Sequence, residues 1–286
     1  MLGSFQTGVS GLQQFQQDLE VIGNNIANVN TVGYKSARVD FADALNQSLT
    51  GGSNPMQVGT GVITSAISSQ FTAGTLTSTG VPTDLAIGGP TAQGFFVVKD
   101  SNSGATYVTR DGEFQRDNSG YLVNNLGLRV QGYTGTAPYT SASTIGDLQI
   151  NDATAIAALN DTTAPAGTTL VSFSFDSLGQ VNALLSDGKT GVMGQVVLQN
   201  FTDPQALTKQ GNNLYTYAAN AGPLAAPAAP DTGNLGTIAS MYLESSNVDL
   251  GTEMTDMITA QRAFEANAKI VTTSDEILQT LVNLKR

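Results

Sequence analysis

The sequence predicts an α+β protein: a central antiparallel β-sandwich or barrel-like domain flanked by N- and C-terminal helices that pair as a coiled-coil-like core. Three observations carry that expectation. Apolar residues at both ends of the 286-residue chain recur at helical spacing. The middle alternates short apolar runs with turn signals, the pattern of successive short strands. Gly is abundant at 31 residues while charged residues make up only 12%, and such a mix suits turn-rich β structure because Gly, Asn, Asp and Ser tolerate the backbone angles of tight turns.

At the N-terminus Leu2, Phe5, Val9, Leu12, Leu19 and Ile26 recur at helical steps, with Gln16 and Gly23 in the two skipped positions and Phe15 and Ile22 beside them. This is the α period and close to a heptad repeat. Gly3, Gly8 and Gly11 each cost about 1 kcal/mol relative to Ala inside a helix, so this helix is expected to need a partner. At the other end, Leu250, Met254, Met257, Ile258, Gln261, Phe264, Ala268 and Val271 form one stripe, continued by Leu278 and Val282. Ala260, Ala263, Ala266, Ile270, Ile277, Leu281 and Leu284 form a second. No Gly or Pro follows Gly251, so a helix over 250–284 is expected, ~50 Å long at the α-helical rise. Asn247 or Asp249 is placed to cap its start. A helix apolar on two faces needs more than one neighbour; the N-terminal helix supplies one, and a second copy of the chain is the simplest source of the other.

Between the ends the expected organisation is a connecting loop or extended segment over 35–69, a β-rich domain over 70–235 and a connector over 236–249, framed by 1–34 and 250–286. Gly51-Gly52-Ser53-Asn54-Pro55 reads as a loop. Short apolar runs include Leu85-Ala86-Ile87, Phe95-Phe96-Val97-Val98, Tyr107-Val108, Tyr121-Leu122-Val123 and Leu128-Arg129-Val130, and they resume at 171–175, 181–185 and 195–198. Asp111-Gly112, Asn118-Ser119-Gly120 and Asn125-Leu126-Gly127 read as turns. The Thr/Ala/Asn-rich stretch 134–170 reads as a loop or minimal insertion. Pro223, Pro227 and Pro230 among alanines make 218–230 an extended linker.

Composition removes several function classes. Cys and His are both absent, which excludes disulfides, thiol chemistry, Ser/His or Cys/His nucleophile pairs and the commonest metal ligands. No catalytic residue, cofactor site or metal site is expected. Asp111 and Glu113 are near each other but are read as part of a hairpin turn. Gly59-Thr60-Gly61 and Gly88-Gly89-Pro90 lack the Lys or helix of a phosphate loop, and Asp117-Asn118-Ser119-Gly120 lacks the terminal Glu of a calcium loop. A net charge of −11 disfavours nucleic acid and anionic membranes as partners. No stretch is long and apolar enough to span a membrane, and the N-terminus lacks the basic region of a cleaved signal peptide, so export would need another route.

The run Asn24-Asn25-Ile26-Ala27-Asn28-Val29-Asn30-Thr31-Val32-Gly33-Tyr34-Lys35 is unusually rich in Asn. A helix C-terminus followed by a turn, with Gly33 at positive φ, accounts for one or two of these asparagines. The whole run resembles the N-terminal signature of the flagellar axial protein family, whose members build rod and hook; the matching positions are Asn24, Asn25, Asn28, Thr31, Gly33, Tyr34 and Lys35. Further resemblances follow in order: 71–80, Asp84-Leu85-Ala86-Ile87, Gly94 to Val98, Tyr107 to Phe114, Gly194 to Phe201 and Gly211-Asn212-Asn213-Leu214-Tyr215. The C-terminal signature is matched at Ser246, Asn247, Val248 and Asp249 and again at Gln261 and Arg262.

That resemblance implies a structural, non-enzymatic subunit of the bacterial flagellum, located in the hook or basal body outside the cytoplasm and exported through the flagellum's own type III channel. It implies a homo-oligomer, a helical tube of many copies. Neighbouring rod, hook-cap and hook–filament junction proteins and the export apparatus are the implied partners, with no small-molecule substrate. The expected core residues are Leu2, Phe5, Val9, Leu12, Leu19, Ile22, Ile26, Met254, Met257, Ile258, Phe264, Val271, Leu278 and Leu281. The wording around Ile22 to Ile26, and Leu185-Ser186-Asp187-Gly188, resembles the hook protein, a tubular universal joint; the distal rod protein, a drive shaft, is the alternative, because only 134–170 has room for a hook's outer domain. A β-rich adhesin or glycan-binding module is the reading from another class, and it leaves the terminal stripes unexplained.

Overall fold

A computed structural model describes residues 2–49, 56–89, 92–135, 139, 143–158, 168–217, 222 and 226–284. The chain divides into two compact units, one of residues 1–29, 35–70 and 248–286 and the other of residues 30–34 and 71–247.

The first unit holds the terminal helices, α1 (Leu2–Ala27) and, counting in chain order past a short α2 (Asp152–Ala158) in the other unit, α3 (Leu250–Leu284). They run antiparallel. A Cβ on Gly8 would lie 3.1 Å from Val271 and one on Gly11 2.9 Å from Asn267, while Asn25 at the other end of α1 bonds Glu253 near the start of α3. The segment 35–69, expected as a connecting loop or extended segment, forms a β-ribbon. Ala37–Asp43 pairs with Val62–Ser69, and Asn46–Leu49 pairs with Met56–Gly59, both antiparallel. The ribbon lies on α1: the rings of Phe15 and Phe41 are 5.9 Å apart, and the Thr64 hydroxyl donates to Gln17 at 2.5 Å. The expected loop at 51–55 falls outside the described residues.

The second unit is a twelve-stranded antiparallel sheet. Its main path runs Leu170–Phe175, Gln180–Leu185, Thr190–Val196, Arg129–Thr134, Phe95–Lys99, Thr106–Thr109, Leu214–Tyr217 and Leu207–Gly211. The strand Phe95–Lys99 explains its own sequence. Successive side chains on a strand point to opposite faces, and here Phe96 and Val98 enter one apolar cluster while Phe95 and Val97 enter another. With both faces covered, an unbroken apolar run is required rather than an alternating one. The larger cluster includes Phe96, Phe114, Leu122, Val130, Leu148 and Ile150; the smaller gathers Phe95, Tyr133, Phe201 and Tyr215.

Several local expectations change. Asp111-Gly112 is not a hairpin turn: Thr106–Thr109 pairs with Phe95–Lys99 and Leu214–Tyr217, whereas Phe114–Arg116 pairs with Leu122–Asn124. Gly112 is required for another reason, since a Cβ there would sit 1.6 Å from the Leu85 carbonyl oxygen. The stretch 134–170 contributes Ile145–Asp147, which pairs with Arg129–Thr134, and α2. The connector 236–249 is two strands, Thr237–Ser240 paired with Leu85–Gly88 and Tyr242–Glu244 paired with Leu76–Ser78. Of the expected linker 218–230, residues 218–221 and 223–225 lie outside the described residues, and Ala228 bridges to Leu198.

Candidate functional site

The terminal segments carry the surface of interest, and it is built from the α1–α3 seam outward. On α3 the residues turned toward α1 are Glu253, Met257, Ala260, Phe264, Asn267, Val271, Ser274 and Leu278, a run at alternating steps of four and three in which every residue is at least half-buried. Large residues alternate with small or polar ones. On α1 the matching run is Gly8, Gly11, Phe15, Asp18, Ile22 and Asn25. Gly8 and Gly11 therefore mark close approach: with no Cβ they admit Val271 and Asn267 against the α1 backbone. The cost they impose on the isolated helix is the price of this contact.

This seam differs from the expected α1 stripe. Ile22 is buried, Val9, Leu12, Leu19 and Ile26 are half-buried, and Phe5 is exposed; the Leu2 side chain lies outside the described residues. On α3, Met257, Phe264, Val271 and Leu278 lie in the seam, whereas Met254, Ile258 and Leu281 are exposed. Sequence reasoning missed Gly8, Gly11, Asn25, Glu253 and Asn267 as seam residues because it followed apolar side chains. The usable signal was the heptad repetition of small residues at Ala260, Asn267 and Ser274 facing two glycines.

What the seam leaves over is large. Leu250, Met254 and Ile258 are exposed along one flank of the first turns of α3, and Ile270, Ile277, Leu281 and Leu284 along the other flank of its second half. Continuing the antiparallel register brings Leu2 level with about Glu276, so the end of α3 after Leu278 extends past the described part of α1. A monomer seldom exposes two such apolar flanks on one helix without partners for them.

The signature residues hold the segment ends. Asn25, 2% exposed, donates from Nδ2 to the Ala37 carbonyl at 2.8 Å and to Glu253 Oε1 at 3.2 Å, and its Oδ1 accepts from the Ala37 N–H at 3.0 Å. Asn28 Nδ2 donates to the Asn24 carbonyl and Oδ1, both at 2.9 Å, closing the last turn of α1. In the second unit Thr31 is half-buried, and Gly33 has φ +67° and donates to the Glu244 carbonyl at 2.8 Å. A Cβ on Gly33 would meet the Asp111 nitrogen at 2.7 Å. Asn213 Nδ2 donates to the Val32 carbonyl at 2.7 Å, and the Lys209 ammonium lies 5.3 Å from the centroid of the Tyr34 ring. Tyr34 and Lys35 are buried. Of the two candidate caps, Asp249 takes the role, its Oδ1 accepting from Gly251 and Thr252 N–H at 2.8 and 3.1 Å, while Asn247 donates to Thr72 Oγ1 at 2.8 Å. Ser246 and Val248 are half-buried; Gln261 and Arg262 are exposed on α3.

Two charged groupings stand out. In the seam, Asp18, Glu253 and Asp256 line one cavity of about 320 Å³. Burial raises the carboxyl of Asp18 above its ordinary range, and repulsion from Asp256 adds to this. Burial likewise raises Glu253, opposed by the Asn25 hydrogen bond and reinforced by Asp256 and Asp18. In the second unit Arg110 and Glu244 form a buried ion pair at 3.2 Å. Glu244 also accepts from the Gly74 N–H at 2.9 Å, and Arg110 donates to the Ala92 carbonyl at 2.9 Å and lies 5.0 Å from the centroid of the Phe95 ring. Asp111 is pushed up to about 6, first by burial, with Glu113 and Asp84 adding repulsion. Among the described residues no helix is long and apolar enough to cross a membrane, and no cluster of three or more His, Cys, Asp or Glu side chains could hold a metal ion.

Comparison with known proteins places these features in context. Residues 5–35 match the family described as flagella basal body rod protein, 87–183 the flagellar hook protein FlgE/F/G D1 domain, and 239–284 the flagellar basal body rod FlgEFG protein C-terminal family. The chain is 41% identical to the flagellar basal-body rod protein FlgG of Bacillus subtilis over the whole of both chains. It is 35% identical to FlgG of Agrobacterium fabrum over 94% of each. To the flagellar hook protein FlgE of Escherichia coli it is 28% identical, in an alignment of 414 positions covering 99% of this chain and all of the other.

Proposed function

The chain belongs to the FlgE/F/G family of flagellar hook and rod proteins and is an axial structural subunit of the flagellum, and from that premise we propose that it is a rod-type subunit that polymerises into a helical tube, joining α3 of one copy to its neighbours. One observation carries the polymerisation reading: the seam with α1 uses one face of α3 and leaves Ile277, Leu281 and Leu284 exposed on another. At about 25 cal/mol per Å² of apolar surface removed from water, a strip of that length favours association. The tube meets further rod and hook components at its ends, and its subunits travel through the flagellar export channel.

Length supports rod over hook. The rod relatives align with this chain over 282 to 295 positions, close to its 286 residues, whereas the Escherichia coli and Salmonella hook relatives need 414 or 415. The hook reading is favoured by the wording of Ile22-Gly23-Asn24-Asn25-Ile26. Electron microscopy of basal bodies from a strain lacking this chain separates the two. The rod reading expects rods that stop short and carry no hook. A full-length rod that lacks only its hook would overturn it in favour of the hook.

A further inference from the structure

The packing of α1 against α3 does not by itself choose a register. The large seam residues of α3, Met257, Phe264, Val271 and Leu278, recur every seven positions, and so do the small ones, Ala260, Asn267 and Ser274. Sliding α1 by one heptad exchanges large for large and small for small. On α1, Gly8 and Gly11 present no side chain to be misplaced, and Phe15 and Ile22 would pass from one large-and-small α3 heptad to the next. Knobs-into-holes packing discriminates registers only where the knobs differ.

One contact does not repeat. Asn25 is 2% exposed, and its amide bonds to the Ala37 backbone through both its oxygen and its nitrogen and to Glu253 Oε1. Seven residues on from Glu253 stands Ala260, which has no side-chain acceptor, and seven residues back lies Ser246, before α3 begins. A slipped helix would leave the second N–H of a buried amide without its acceptor, and buried polar groups are costly to leave unpaired. A single buried Asn fixes coiled-coil register by this logic.

We propose that Asn25 is the specificity-determining residue of the terminal helix pair: held to the ribbon through Ala37, it selects the register of α1 on α3 through Glu253. The other signature asparagines have different work, Asn28 closing its own helix turn on Asn24. The inference concerns pairing within the chain and holds whether the assembled tube is rod or hook.

The 286-residue chain contains no Cys, so engineered pairs report register cleanly. Gly11→Cys with Asn267→Cys reads the observed register, where a Cβ at Gly11 already lies 2.9 Å from the Asn267 side chain. Gly11→Cys with Ser274→Cys reads a slip of one heptad, which would put Asn25 opposite Ala260. Each pair is oxidised mildly in four backgrounds: unchanged, Asn25→Leu, Glu253→Leu and Glu253→Gln. The unchanged chain and Glu253→Gln, which keeps an acceptor, are expected to link 11 to 267 and not 11 to 274. Asn25→Leu and Glu253→Leu are expected to raise the 11–274 product by on the order of tenfold. Helicity is read by circular dichroism in the same samples. If Asn25→Leu loses helix, Glu253→Leu decides, since it leaves both bonds to Ala37 intact. Unchanged cross-linking in that variant, or lost helicity without any 11–274 product, would overturn the proposal.

Discussion

In the strand Phe95–Lys99 four consecutive apolar side chains are buried, while in α3 the apolar residues Met254, Ile258, Ile270, Ile277 and Leu281 stay exposed. Both segments are apolar well beyond what one covered face needs. The strand has its two faces filled by the chain's own residues, Phe114 and Leu122 among one cluster and Phe201 and Tyr215 among the other. The helix has one face filled, by α1. Apolar content satisfied inside the chain therefore builds a folded domain, and apolar content left over marks where further chains attach. The strand is covered by its own chain on both faces and α3 is not.

That contrast can be broken from either side. The largest effect belongs to the β core. Phe96 is fully buried with its ring 5.2 Å from Phe114, so Phe96→Ala is expected to destabilise that unit by about 3–5 kcal/mol, measured by denaturant unfolding followed through tyrosine fluorescence. Hydrogen exchange should show the loss spread across the sheet strands.

A smaller effect comes from pH. Asp111 is raised from 3.8 to about 6, so its ionisation opposes folding. The stability this group contributes is fully present below about pH 4 and is lost as pH rises through about 6, with a ceiling of about 3 kcal/mol that partial exposure reduces. Unfolding midpoints of the β unit should therefore fall between pH 4 and 6.5, and Asp111→Asn should flatten that part of the profile. The same slope in the variant would remove Asp111 from the account. The seam carboxyls Asp18 and Glu253 are raised as well, so α1–α3 pairing strengthens in the same direction; hydrogen exchange at Ile22 and Ala260 separates their effect from that of Asp111.

The two regions also differ in how far their sequence could be read. The helices were legible from the α period because their signal is local, and Gly33 was legible because only positive φ fits the turn it makes. Within α1, though, the apolar stripe misdirected the search: the buried line runs through Gly8, Gly11 and Asn25, where absence of a side chain or possession of an amide matters more than hydrophobicity. The ribbon strands Ala37–Asp43 and Val62–Ser69 were legible only as an extended segment, with the run Val62-Ile63 as a strand signal. Ala37, Val39 and Phe41 alternate with Arg38 and Asp40 over only five residues, and Ile63 and Ile67 remain about half exposed, so the second strand imprints no buried face. Thr237–Ser240 was missed because its partner, Leu85–Gly88, lies far back in the chain, and no local pattern encodes such a pairing. The Arg110–Glu244 pair was hidden likewise; nothing near Arg110 in sequence announces an acid 134 residues away.

The least disturbing change for the monomer should be the most telling for its assembly. Ile277 and Leu281 are 50% and 44% exposed, and unlike Ile270 neither lies against Gly8 of α1, so replacing both with Asp removes little that the isolated chain uses. The double variant, compared with the parent chain by electron microscopy and analytical ultracentrifugation under conditions in which the parent polymerises, is expected to keep the parent's unfolding midpoint within about 0.5 kcal/mol of stability and to form no tubes. Tubes like those of the parent would contradict the claim that the uncovered face of α3 is where copies join.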